Sequence, residues 1–122
     1  MKLNGTFFEM VSSLETEGGL EAVVRIVPDN VIFKAHFPGH PITPGAAQVR
    51  MATEILEAWS GRKLVLSEVH DLKFVSPLEP GVDAALSFTE LSVGDTLETG
   101  LSIRVGENVV SRMTLRYSFR ND

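Results

Sequence analysis

The sequence has no cysteine, which removes disulfides, a thiol nucleophile and thiolate metal ligands and agrees with a reducing compartment. Basic residues are scarce too. Eleven Lys and Arg stand against sixteen Asp and Glu, a net charge of -5, and they do not gather in one segment, so polyphosphate is repelled and no nucleic-acid partner is expected. No apolar run approaches the roughly 20 residues a membrane span requires. The opening Met-Lys-Leu-Asn-Gly-Thr-Phe-Phe-Glu-Met lacks the continuous apolar core of a signal peptide. Together these absences predict a cytoplasmic protein with no membrane span. There is no internal repeat and no low-complexity segment.

What is present is a chain of 122 residues, 43% hydrophobic and 22% charged. That composition predicts one compact domain over residues 1–122 with a real core. Phe7 to Leu14 and Leu20 to Val27 flank Glu15-Thr16-Glu17-Gly18-Gly19, and the second run alternates Ala22, Val24, Ile26 against Val23, Arg25, Val27, as a half-buried hairpin strand does. Further strands are expected at Leu64 to Val75, Val82 to Leu91, Leu97 to Val105 and Val109 to Phe119. The short turn-rich links between them predict an antiparallel meander.

Between the two strand regions lies His36-Phe-Pro-Gly-His-Pro-Ile-Thr-Pro-Gly45. Pro38, Pro41 and Pro44 fix φ, and Gly39 and Gly45 permit tight turns, so this is a rigid loop leading into a helix. The helix should start near Gly45 and stop at Gly61. At 100° per residue Val49, Ala52, Ile55, Leu56 and Trp59 form an apolar stripe, with Arg50, Thr53, Glu54 and Glu57 on the other side. Gln48 falls inside the stripe and needs a hydrogen-bond partner, with backbone the first expectation. One long helix with five or six strands predicts an α+β domain in which a curved antiparallel sheet wraps around a central helix.

Several residues invite chemistry that the local geometry refuses. His36 and His40 have the i,i+4 spacing of a helical metal pair, but Pro38, Gly39 and Pro41 exclude that helix and no third ligand is in evidence, so no metal site is expected. No cofactor is called for either. His70 and Asp71 are neighbours in a strand and point to opposite faces, so a surface role is expected instead of a dyad. Phe74, Phe88 and Trp59 read first as core residues. Arg50, Glu54 and Glu57 could be no more than a solvated helix face.

The His36–Gly45 segment resembles the His-Phe-Pro-Gly-x-Pro-x-x-Pro-Gly signature of the β-hydroxyacyl-acyl-carrier-protein dehydratases, which have the hot dog fold. Leu72-Lys-Phe-Val-Ser-Pro-Leu-Glu-Pro-Gly81 is similar to that family's Lys-Phe-x-x-Pro-Val-x-Pro-Gly-Asp turn, with Val82 intervening before Asp83. Gln48 in Pro-Gly-Ala-Ala-Gln-Val is similar to the branch associated with aryl polyene pigments. The resemblance implies dehydration of a β-hydroxyacyl thioester on acyl carrier protein, as in fatty-acid or polyene synthesis. His36 would be the catalytic base, the Gly45 backbone N–H would hold the thioester oxygen, Phe37, Pro38, Gly39 and Pro44 would shape the substrate loop, and a hot dog fold would use some of Phe74, Phe88 and Trp59 as acyl-tunnel lining as well as core.

The family's catalytic carboxylate falls fourteen positions after His36, where this chain has Arg50. A guanidinium cannot serve as an ordinary proton donor, although it can bind a phosphate or carboxylate. Glu54, one turn on, is a displaced candidate acid that can also pair with Arg50. Family members form dimers whose histidine and acid come from different subunits, so the resemblance implies a homodimer or higher homo-oligomer, or a heterodimer with a carboxylate-bearing paralogue. Three functions therefore stay open: a dehydratase with an unusual acid, a non-catalytic or half-catalytic subunit of a heteromeric dehydratase, and an acyl thioesterase on the same fold. Docking of an acidic carrier protein would need a local cluster of Lys34, Arg50, Arg62 or Lys63.

Overall fold

The alternation that marks Leu20 to Val27 as a strand becomes the centre of a pairing pattern. In the computed structural model, which describes residues 4–5, 7–27 and 45–120, β1 (Phe8–Thr16) and β2 (Gly19–Ile26) form a hairpin closed at Thr16↔Gly19. Helix α1 (Gly45–Ser60) follows, then β3 (Leu64–Phe74), β4 (Asp83–Val93), β5 (Thr96–Val105) and β6 (Asn108–Phe119). The expected element order is thus observed, with the hairpin turn shorter than the loop anticipated from Glu15 to Gly19.

The topology corrects one expectation. The six strands are ordered β1-β2-β4-β5-β6-β3 and every pair is antiparallel. Only β4, β5 and β6 make a meander, while β3 lies at the far edge against β6. The cause is the connection between β3 and β4. It begins with Val75 N and Ser76 N donating to Val110 O of β6, and it ends with Gly81 N donating to Ile26 O of β2. The link therefore crosses the sheet end, and Leu78, fully buried, anchors the crossing in the core.

Inward residues match across the strands, as period-two patterning requires: Ala22 faces Leu86, Leu86 faces Ile103, and Leu97 faces Tyr117. Onto these pack Met51, Ala52, Ile55 and Leu56 of the helix, all buried in the same cluster. Gly61 has φ +71 and its N–H donates to Glu57 O, so the predicted helix stop is a left-handed C-terminal glycine.

The expected division of the helix into a core face and a solvated face does not hold. Thr53 and Glu54 are 5% and 7% exposed, because the sheet and the N-terminal segment close over that side as well. Phe88 is core as expected. Trp59 is half-buried, its Nε1–H donating to Glu15 of β1 at 2.7 Å, and Phe74 is 50% exposed.

Both edge strands are open to solvent within the chain. β3 shows Val65, Leu66, Leu72 and Phe74 on its surface, and β1 shows Met10, Val11 and Leu14. Each also carries a bulge, and Asp71 in β3 has φ +53. His70 pairs with Glu68 two residues away (3.1 Å), which holds the Glu68 carboxyl below its usual range. His70 thus has a surface role, as expected. Among the described residues no helix is long and apolar enough to cross a membrane.

Candidate active site

Helix α1 begins at Gly45 with no acidic residue in its first turn. The helix dipole places partial positive charge at its opening N–H groups. Space beside Gly45 is taken by Phe74. A Cβ placed on Gly45 would lie 2.5 Å from the Phe74 Cζ and 3.1 and 3.2 Å from Cε2 and Cε1. The ring therefore lies in the side-chain position of residue 45, and any side chain there would have to displace it.

One turn on, Gln48 is buried at 3% exposure, and its Oε1 accepts a 2.8 Å hydrogen bond from the Ser111 hydroxyl of β6. The expected partner was found, but it includes a side chain across the core instead of only backbone. Ser111 is fully buried too, so the pair fixes the first turns of the helix against the sheet.

Arg50 and Glu54 form the i,i+4 pair that their spacing allows. Arg50 Nε donates to Glu54 Oε2 at 3.1 Å, and the backbone N–H of Asn4 donates to Oε1 at 3.0 Å. Their exposures differ greatly: 42% of the Arg50 side chain reaches solvent against 5% for Glu54. The carboxylate is thus a buried anchor and the guanidinium its partly exposed partner. Glu54 also borders a cavity of about 170 Å³ between the hairpin and the helix, lined by Phe8, Met10, Leu20, Ile55 and Trp59. That cavity lies roughly 13 Å along the helix axis from Gly45, at about 1.5 Å per residue.

Thr53, between these groups, bonds its hydroxyl to Val49 O at 3.0 Å and lies 2.9 Å from the Tyr117 hydroxyl. With the threonine proton committed to the carbonyl, Tyr117 is the donor to Thr53. Burial pushes the Tyr117 phenol up to about 12, the nearby negative charge of Glu57 adding to this while Arg50 opposes it.

The structure therefore brings Gly45, Arg50 and Glu54 onto one helix and leaves Glu54 occupied by two donors. His36, Phe37, Pro38, Gly39 and Pro44, with His40 and Lys34, lie outside the described residues. No group of three or more His, Asp or Glu side chains arranged to hold a metal is found among the described residues. Sequence reasoning missed Phe74, Ser111, Tyr117 and Asn4 as neighbours of the helix. Only the Lys73-Phe74 motif carried any signal for them, since the others act through contacts distant in sequence.

Residues 12–111 match the ApeI-like family, described as ApeI dehydratase. A 3-hydroxyacyl-[acyl-carrier-protein] dehydratase FabZ of Novosphingobium aromaticivorans is 34% identical over 93 residues, 67% of this chain and 59% of that protein. The chain thus spans about three fifths of that curated relative's length. Among solved structures, a chain of the dehydratase heterocomplex ApeI:P from Xenorhabdus doucetiae superposes with a TM-score of 0.75 at 18% identity, covering 90% of this chain and 96% of that one. The E. coli PaaI protein from the phenylacetic acid degradation operon gives 0.64 at 13% identity, covering 93% and 80%. At these identities the structural likenesses speak to fold, and they agree with the α+β hot dog architecture expected from the motif. With its family match spanning most of the sequence, the chain belongs to the ApeI-like dehydratase family.

Proposed function

We propose that this protein acts on β-hydroxyacyl thioesters of acyl carrier protein as a dehydratase-type protein. The observation that carries this is the family match over residues 12–111, which contains both the His36 motif and the helix start at Gly45. In this reading His36 removes the C2 proton, the C3–O bond breaks, a C2–C3 double bond forms, and the hydroxyl leaves as water once protonated. The Gly45 N–H, at the positive end of α1, stabilises the thioester oxygen as charge develops. Phe37, Pro38, Gly39 and Pro44 shape the loop that carries the histidine.

The Arg50–Glu54 pair bears on the source of the proton for the leaving hydroxyl. Arg50 cannot donate it in the ordinary way. Glu54 is buried, bonded to Arg50 and Asn4 N–H, and one turn away from the family position. We therefore read Glu54 as the anchor of Arg50 instead of the acid. This favours a second reading, a half-catalytic subunit whose acid comes from a carboxylate-bearing partner chain. A partner also suits the open edge of β3 with its exposed Val65, Leu66 and Leu72. A thioesterase on this fold is the third reading, and the His-Phe-Pro-Gly loop argues for dehydration over it.

Mass-spectrometric detection of water loss from β-hydroxyacyl-carrier protein tests the proposal, with the purified chain alone and with a carboxylate-bearing paralogue. Turnover in either case supports it, and a folded pair that leaves every chain length intact overturns it. The buried pair also dictates how a missing acid should be restored. Arg50→Glu alone sets two carboxylates side by side with one of them buried, so it should lower the melting temperature. Arg50→Glu with Glu54→Gln keeps a donor near the new carboxylate. This double variant is expected to raise the rate of the isolated chain by about 10²- to 10⁴-fold, the usual scale of general acid catalysis.

A further inference from the structure

Phe74 differs from the buried phenylalanines. Phe7, Phe8 and Phe88 are no more than 1% exposed, whereas Phe74 is 50% exposed and ends the open edge strand β3. Its ring nevertheless has a defined seat, with Cζ 2.5 Å from where the Cβ of residue 45 would stand. A half-exposed ring contributes little to the core. What it does occupy is one flank of the first residue of α1.

We propose that Phe74 is a specificity-determining residue, its ring forming the wall that limits how much bulk an acyl thioester can carry next to its carbonyl carbon. This rests on the Gly45 N–H holding the thioester oxygen, as proposed above. A carbonyl oxygen bonded to that N–H lies about 2.9 Å from the nitrogen, which brings C1 and C2 of the acyl chain alongside the Gly45 Cα. The ring covers the flank of that Cα on which a side chain would stand. An unbranched chain can lie against a flat ring, while a methyl branch at C2 must displace it. Because the contact is made by the far end of a half-exposed side chain, a Cβ at position 45 should push the ring aside without dismantling the core. Gly45→Ala and Phe74→Ala are therefore two ways of removing the same wall.

The test compares unbranched and 2-methyl-branched 3-hydroxyacyl pantetheine thioesters for turnover, and their non-hydrolysable amide analogues for binding by calorimetry. The 2-methyl substrate keeps one C2 proton, so elimination stays chemically available to it. Phe74→Ala is expected to shift the preference toward the branched compound by at least about tenfold, the scale on which a pocket resolves a single methyl group. The shift should appear in KM and in the affinity of the branched analogue. Phe74→Leu should recover part of the original preference, and Gly45→Ala with Phe74→Ala should show no more shift than Phe74→Ala alone. A general loss of stability would depress both compounds equally and leave the ratio unchanged.

An unchanged ratio in Phe74→Ala, in protein that still binds the unbranched analogue, overturns the wall. Analogues that bind and are discriminated, with no turnover of either thioester by the chain alone or with a carboxylate-bearing paralogue, would keep the wall and sink the dehydration reading. Failure of the unaltered protein to bind either analogue would overturn both.

Discussion

His36→Ala is expected to slow any water loss from β-hydroxyacyl-carrier protein by about 10²- to 10⁴-fold, with a melting temperature close to that of the unaltered chain. The rate effect follows from the chemistry. A C2 proton beside a thioester must be taken by a base that is largely unprotonated at working pH, and imidazole titrates in that range while carboxylates and amines do not. The stability expectation follows from the core among the described residues, in which α1 packs against the sheet through Met51, Leu56, Leu86, Leu115 and Tyr117. Parallel measurements of product formation and thermal unfolding separate the two effects. Equal rates in the two proteins would remove His36 from the mechanism. A variant that melts well below the parent would assign the residue to the fold.

The largest stability effect should come from Tyr117. Its side chain is fully buried, faces Leu97 across the sheet and bonds to Thr53 of the helix. Tyr117→Ala should cost about 3–5 kcal/mol, the usual range for emptying an aromatic site. Against a total of roughly 5–15 kcal/mol this leaves a marginal fold. Tyr117→Phe keeps the ring and should cost only about 1 kcal/mol, because Thr53 retains Val49 O as an acceptor. Equal losses in the two variants, measured by urea unfolding, would show that the hydroxyl and not the ring supplies the stability.

The same phenol predicts an alkaline transition. Its folded value is raised to about 12, whereas an unfolded tyrosine titrates near 10. Between these values the unfolded chain has lost the proton that the folded chain keeps. The stability linked to this group is therefore fully present below about pH 10 and is lost as pH rises toward 12. Tyr117 is the only tyrosine, so phenolate absorbance reports it alone, and Tyr117→Phe should remove its contribution to the alkaline slope. A phenol that ionises near pH 10 in folded protein would contradict its burial.

The elements themselves were legible because each is announced locally. Two-residue alternation marks β2 and β5, the apolar stripe marks α1, and Gly61 ends the helix through a backbone geometry that glycine adopts readily. The motif from His36 to Gly45 likewise pointed to the family through residues contiguous in the chain. Arg50 in place of a carboxylate was also visible without coordinates, and so was its spacing from Glu54.

What needed the tertiary structure were relations between residues far apart in sequence. The strand order could not be read locally, because the hydrogen bonds that send the β3–β4 connection across the sheet go to Val110 and Ile26. Burial of Thr53 and Glu54 was hidden for a related reason: helical periodicity says which residues share a face, but not how many faces the surrounding sheet will cover. Gly45 shows the difference most directly. Its place at the start of a helix is a property of the Pro-Gly sequence around it, while what a side chain there would meet is the Phe74 ring, delivered to that spot by the edge strand β3. Local backbone preferences determined the elements, and excluded volume between distant side chains decided the shape of the site.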